Sequence, residues 1–374
     1  MRVRYGVIEI ANNQPFSQHL NGFSISPWLQ DLFLQISQSC PLEQAATLAR
    51  NLLNQSVNTN QLHRMVHCYG QLLEDAFLTE LSVCQLLSPL GESVDIRPIW
   101  GATPVESVPA MVLSAPTPLP IEPVSVVRKV SYFQADGSVI FTDGGWKEVK
   151  LGRVFEAEDL IKSGVAGRGG RLAESIYGAQ LGDVKAFQAV FSPLFIPFDT
   201  PEWTQVFLSD GAIWIRHMME KYHPTVHLIL DYYHAMDYVS KAALGGITNS
   251  KRRKNWLDVQ ATLLKDSQLD QVIANIKRLS IEASLSKSVI TYLDSNRDRM
   301  DYKTYLSNGW LIGSGAVEAA HQTVIQCRMK LSGQRWSHWG AVRMLALRVW
   351  WENGWWDRVR EYIEPSPAEY AMAA

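Results

Sequence analysis

Apolar residues recur at helical spacing from Ser26 to about Gly91. In SPWLQDLFLQISQS, Leu29, Leu32, Phe33 and Ile36 fall on one face behind a Ser-Pro pair suited to a helix start. PLEQAATLARNLLNQ predicts a second helix and, after the polar break SVNTN, QLHRMVHCYGQLLEDAF a third. Three helices with a tight turn before the last have the layout of a helix-turn-helix, whose third helix would enter a major groove; a small helical bundle gives the same pattern.

The texture then changes twice. Between Ile96 and Pro123 seven prolines interrupt any period, which predicts an extended linker. Beyond it VVRKVSYFQAD is β-branched and aromatic and is expected to end at Asp136-Gly137; a turn at Asp143-Gly144-Gly145 leads into WKEVKLGRVF, completing a hairpin. Two apolar runs, WTQVFLSD and VHLILD, each end at an aspartate and pass into helical patterns, AIWIRHMMEKYH and YYHAMDYVSKAALGG. Strand followed by helix, twice, predicts an α/β layer with a buried parallel pair. Residues 247–308 read as an all-helical insertion, GWLIGSG precedes a helix from about Ala316 to Lys330, and SHWGAVRMLALRVWWENGWWD reads as a last amphipathic helix.

The expected organisation is a helical N-terminal domain over 1–95, a proline-rich linker over 96–123, a core over 124–245, a helical insertion over 246–309, and the end of the core with C-terminal helices over 310–374.

Composition narrows the class. The 374 residues are 47 % hydrophobic and include 13 Trp, 13 Tyr and 12 Phe, too much apolar surface for a solvated coil. No apolar run is long enough to span a bilayer, and Glu9, Asn12 and Asn13 interrupt the first twenty residues, so a cytoplasmic protein with no membrane partner is expected. The four cysteines form no C-x-x-C pair, which argues against a disulfide framework or zinc ribbon. The net charge of -2 conceals an asymmetry: residues 21–110 hold three basic groups against eight acidic ones, and residues 111–374 hold 30 against 28. That acidic balance favours the plain bundle over a DNA-reading motif at the N-terminus.

Three carboxylates stand where a fold would gather them: Asp136 and Asp210 at strand ends and Glu318 early in the helix after GSG. Two aspartates and a glutamate on adjacent elements can hold two divalent ions, Mg²⁺ or its substitute Mn²⁺, which prefer oxygen ligands and serve phosphodiester chemistry. The same residues are also common turn and cap residues.

The words around them discriminate further. ADGS, GWKEVKLGRVF, SDGAIWI, ILDYYHA and IGSGAVEAAHQTVIQCRMKLSGQRWS, followed by GAVRMLALR, occur in this order, and the chain over about residues 124–357 resembles a DDE transposase of a bacterial insertion sequence of the Kra type, related to Mutator-like transposases. The resemblance implies an RNase H-like core interrupted by a helical insertion. It implies a triad of Asp136, Asp210 and Glu318 holding the metal ions, with Asp143 a competitor for the first place and Asp231 for the second. Asp231 and His234 match a pair that would position the site or DNA.

Lys147, Lys150 and Arg153 on the hairpin, and Arg328, Lys330, Arg335 and Trp336 after the glutamate helix, are candidates for DNA contact. Exposed strand faces and helix-end packing would also account for them, as a solvated helix start would for Lys251–Lys254. The resemblance implies cleavage of transposon ends and strand transfer into target double-stranded DNA, by a homo-oligomer associated with the nucleoid. The alternatives are a structure-specific nuclease of the same fold, or a non-catalytic DNA-binding regulator derived from a transposase.

Overall fold

The computed structural model describes residues 22–87, 128–161 and 171–363, together with two short strands at Arg2–Val3 and Gly6–Val7. The expected linker over 96–123 lies outside the described residues.

Three N-terminal helices form where their patterns predict: α1 (Pro27–Ser39), with Pro27 in its first turn; α2 (Leu42–Leu53), closed by Asn54 in the left-handed region at φ 51°; and α3 (Thr59–Leu87). A reciprocal cap starts α3: the Gln61 N–H donates to Asn58 Oδ1 (2.8 Å) and the Asn58 N–H to Gln61 Oε1 (3.2 Å). The apolar stripe Leu62, Met65, Tyr69, Leu73 and Phe77 is buried, and α3 packs along a C-terminal helix, α12 (His338–Glu352). Gly70 permits this close crossing, since a Cβ there would stand 2.6 Å from the Arg343 carbonyl oxygen. The N-terminal helices therefore share one core with the C-terminal part of the chain.

A five-stranded mixed sheet lies at the centre. Its strands are β1 (Lys129–Thr142), β2 (Gly145–Glu156), β3 (Ile176–Leu181), β4 (Trp203–Ser209) and β5 (His227–Leu230), in spatial order β3-β2-β1-β4-β5. The β1–β2 and β2–β3 pairs are antiparallel; β1–β4 and β4–β5 are parallel. The hairpin and the parallel run match the sequence pattern, whereas β3, a short glycine-containing strand, gave no signal. β1 does not end at Asp136-Gly137. It continues to Thr142 because Gly137 stays in register opposite Lys150, and the reversal comes at Asp143-Gly144, with Gly145 at φ 87°.

Both faces of the sheet are covered. On one, Phe133 stacks on Phe195 with ring centroids 3.7 Å apart, beneath α4 (Val184–Phe191) and the 3₁₀ segment Ser192–Phe198. Gly152 lets Phe191 lie flat on this face, since a Cβ would meet its ring at 2.2 Å. The other face meets α6 (Tyr232–Gly246), whose Ala235 and Val239 share a core with Leu208 and Ile229, and α11 (Gly315–Ala320). Between β4 and β5 runs α5 (Ile213–Tyr222). The 246–309 segment holds four helices: α7 (Ser250–Lys265), α8 (Leu269–Lys277), α9 (Ala283–Ser295) and α10 (Tyr302–Ser307).

The C-terminal part departs from expectation twice. α11 passes into a π-helical stretch, His321–Gln326, before ending at Cys327–Met329. The expected last amphipathic helix is two helices: α12 is buried around most of its surface, Arg343 and Arg348 included, and Gly354 at φ 72° breaks the chain before α13 (Trp356–Ile363). Among the described residues no helix is long and apolar enough to cross a membrane.

Candidate active site

Parallel pairing of β1 with β4 sets the first element of the site. The last paired residues are Gln134 and Leu208, and two positions beyond each stands an aspartate, Asp136 and Asp210. Side chains two apart on a strand share a face, so both carboxylates fall at the end of the parallel ladder, on the side covered by α11.

The Asp136 carboxylate is held by the Gly137 N–H, which donates to Oδ1 at 2.7 Å. Its other oxygen lies 3.7 Å from His321 Nε2. Burial pushes this carboxyl above the usual range; the Gly137 N–H and His234 oppose the shift, and the charges of Asp210 and Glu148 reinforce it. His321 itself is buried and driven down to about 4, chiefly by desolvation, so it is a neutral imidazole at physiological pH.

Asp210 is fixed from both sides. Its Oδ1 accepts the Ala212 N–H (2.9 Å), and its carbonyl oxygen accepts the Tyr292 hydroxyl (2.7 Å), which reaches over from α9 of the insertion. Tyr292 is held by stacking on Tyr238 at 3.6 Å. Gly211 turns at φ 90°, where a Cβ would come within 2.8 Å of Leu230 Cδ1 and 3.0 Å of the Tyr292 hydroxyl, so this position needs glycine on two counts.

The helix bearing Glu318 is anchored at its start. The buried Asp231 carboxylate caps α6 by accepting the His234 N–H (2.8 Å), and its second oxygen accepts both the N–H and the hydroxyl of Ser314, each at 2.5 Å. Arg153 reaches from β2 to donate to the Ala316 carbonyl at 2.5 Å. Glu318 sits exposed in the first turn. Asp210 lies close enough to Asp136 for its charge to raise that carboxyl, while among the described residues no three His, Cys, Asp or Glu side chains form a group that could hold one metal ion.

The oxygen donors nevertheless suit a hard divalent cation. Asp136 and Asp210 lie in each other's field, and neither forms an ion pair with Lys or Arg among the described residues. Asp143, by contrast, is at the hairpin turn, bonded to Arg335 at 2.9 Å. It is Asp136 that neighbours Asp210.

The basic candidates divide. Lys147, Lys330 and Arg335 are exposed, with Lys330 Nζ donating to Ser138 Oγ at 3.1 Å. Lys150 and Arg153, expected on an exposed strand face, are turned inward because helices cover both faces. Lys150 bonds Glu148 (2.6 Å) and the Gly182 carbonyl (3.0 Å), and Arg153 bonds Ser175 (2.9 Å) as well as Ala316. Arg328 is buried, its Nε donating to the Ser37 carbonyl (3.0 Å), and the half-buried Trp336 donates its indole N–H to the Met329 carbonyl (3.0 Å). Trp146, which the sequence reading passed over, is exposed at the hairpin tip. His321 was also missed, although its place three residues after Glu318 put it one helical turn away.

No protein-family model matches the chain, and no curated protein matches it.

Proposed function

We propose that the chain is a DDE-type DNA transposase with an RNase H-like core. The observation carrying this reading is the placement of Asp136 and Asp210 each two residues beyond the last pair of the parallel β1–β4 ladder, in a sheet ordered β3-β2-β1-β4-β5, followed by a helical insertion and a helix bearing a glutamate. That strand order, antiparallel in its first three strands and parallel in its last three, supports the reading.

In this reading Asp136, Asp210 and Glu318 would hold Mg²⁺, with Mn²⁺ able to substitute. Two such ions, when bound, lower the cost of making an attacking oxygen and of releasing the leaving one. Water attacks phosphorus at the transposon end, and the 3′ oxygen leaves and takes a proton; that 3′ hydroxyl then attacks a target phosphodiester in line, exchanging one P–O bond for another. The chain's own residues set the geometry. Tyr292 and Gly211 fix the Asp210 turn, Asp231 fixes the start of the Glu318 helix, and His234 lies near enough to Asp136 to temper its charge. Double-stranded DNA at both ends and the target calls for a homo-oligomer, since two ends must be joined together.

Purified full-length protein, labelled duplex carrying the gene's own flanking sequence, and Mn²⁺ test this reading. Nicks at the element ends that vanish in Asp210→Ala and Glu318→Gln support it. Retained binding with no nicking by the wild type would favour the regulatory derivative.

A further inference from the structure

His321 begins the π-helical stretch that follows the Glu318 helix, and it faces inward. It is 3 % exposed, and both ring nitrogens are shut off from solvent without a hydrogen-bond partner among the described residues. A polar group buried in this way is costly, so its presence calls for a physical reason. What the ring faces is Asp136. Nε2 lies 3.7 Å from Oδ2, just beyond hydrogen-bond length, and the Asp136 backbone is the group that opposes the downward pull of burial on the imidazole. The other carboxylate oxygen, Oδ1, already accepts the Gly137 N–H at 2.7 Å.

The wide turn that carries the ring is pinned from outside. π turns occur mostly at functional sites. Here the buried Arg348 of α12 takes the carbonyls of the turn, its Nε donating to Val324 at 3.2 Å and its Nη2 to Thr323. Its guanidinium is fixed in turn by Glu352 at 2.6 Å and by Gln38 of α1. The segment bearing His321 is therefore tied to α12 and α1.

Shut off from solvent, His321 cannot itself take an ion or a phosphate from the site, so it can act only through Asp136. An imidazole N–H steadies a carboxylate there and, unlike Lys or Arg, sets no fixed charge against a cation. We propose that His321 is a positioning residue for Asp136: an Nε2–H directed at Oδ2, with the Gly137 N–H on Oδ1, fixes the plane of the carboxylate and leaves one lone pair on each oxygen for a divalent cation. The contact stands apart from the transposase reading; its effect on cation affinity rests on that reading.

Two measurements on the full-length protein test this, and neither needs DNA. In EDTA, nuclear magnetic resonance of nitrogen-labelled histidine side chains gives the ring tautomer, with the His321 signals identified by their loss in His321→Gln. The expected result is Nε2–H in the wild type and loss of that preference in Asp136→Asn. Nδ1–H in the wild type, or a tautomer indifferent to Asp136→Asn, overturns the proposal whatever the site binds. Titration with Mg²⁺, followed by the melting temperature, reads the consequence. The half-saturating concentration should rise about tenfold or more in His321→Leu and stay within about threefold of the wild type in His321→Gln, whose amide N–H can stand in for Nε2–H. In EDTA, His321→Leu should melt no lower than the wild type, because it removes an unpartnered buried polar group. Lower melting of His321→Leu with unchanged Mg²⁺ affinity is the mark of a residue that merely packs, and overturns the proposal. A wild type that Mg²⁺ does not stabilise, but whose Nε2–H tautomer depends on Asp136, contradicts the metal reading and supports the contact.

Discussion

Asp231 and Ser314, 83 residues apart in the chain, are joined by two hydrogen bonds to a single buried carboxylate oxygen. One aspartate thereby ends β5, caps α6 and fixes the turn that launches the Glu318 helix, with the whole insertion looped out between its two partners. The insertion reaches back to the site through Tyr292, which bonds the Asp210 carbonyl, and through Tyr302, which bonds the Leu230 carbonyl beside Asp231.

Asp231→Ala leaves the Ser314 and His234 N–H groups unpartnered, and should lower stability by about 3 kcal/mol from lost charge-assisted bonds and a lost cap. Ser314→Ala removes only the hydroxyl bond and should cost about 1 kcal/mol. Urea unfolding of both variants measures the difference; equal small effects would contradict this role for Asp231.

Gly211→Ala forces a side chain into the left-handed region and against Leu230 and Tyr292. A cost of about 1–3 kcal/mol is expected, with nicking reduced further than stability because the displaced residue adjoins Asp210. Tyr292→Phe, which keeps the stacking on Tyr238, should reduce nicking with a stability loss of about 1 kcal/mol. Comparing urea midpoints with nicking rates separates the two effects.

Much of this arrangement could be read from the sequence because it depends on local pattern: strand runs that stop at aspartates, and helical periods in the insertion. What could not be read depends on which surfaces become covered. Asp136-Gly137 has the composition of a turn, and only pairing with β2 makes it mid-strand. Lys150, Arg153 and Arg328 have the residue types of a DNA surface. Whether each faces solvent is decided by helices far away in the chain, and the long aliphatic stems let the charges reach buried carbonyls. The burial of α12 on most sides was illegible for the same reason, since Arg343 and Arg348 give it the look of a helix with a wet face.

Asp136 is a carboxylate held at a cost. Its carboxyl is raised above the usual range, so the folded state keeps its proton longer than the unfolded chain, and stability falls as pH rises from the ordinary aspartate value through the raised one. Asp136→Asn should therefore raise the urea midpoint at neutral pH without divalent ions. Mg²⁺ should stabilise the wild type and leave the variant unaffected; a variant less stable than wild type in EDTA would contradict the assignment.

One of the groups through which acid acts on the fold is His223, which stacks on Phe195 at 3.9 Å and is bonded to Ser192 Oγ at 2.8 Å. Burial drives it down to about 4, against a weaker pull from Asp199. The unfolded chain takes up a proton near 6.5 that the folded one refuses, so stability declines as pH falls from about 6.5 to 4, by at most about 3 kcal/mol. His223→Phe should reduce the slope of that part of the pH profile of urea unfolding and leave the share due to His321, which burial also drives down to about 4.

The account stands or falls on strand transfer. Pre-cut element ends carrying a 3′ hydroxyl, incubated with supercoiled plasmid and Mg²⁺, should yield joined products with the wild type. Those products should disappear with a 3′-dideoxy end and with Asp136→Asn, Asp210→Asn or Glu318→Gln, while DNA binding persists. Joined products that survive any of the three substitutions, or nicking by the wild type with no joined product, would contradict the assignment of a transposase built on these carboxylates.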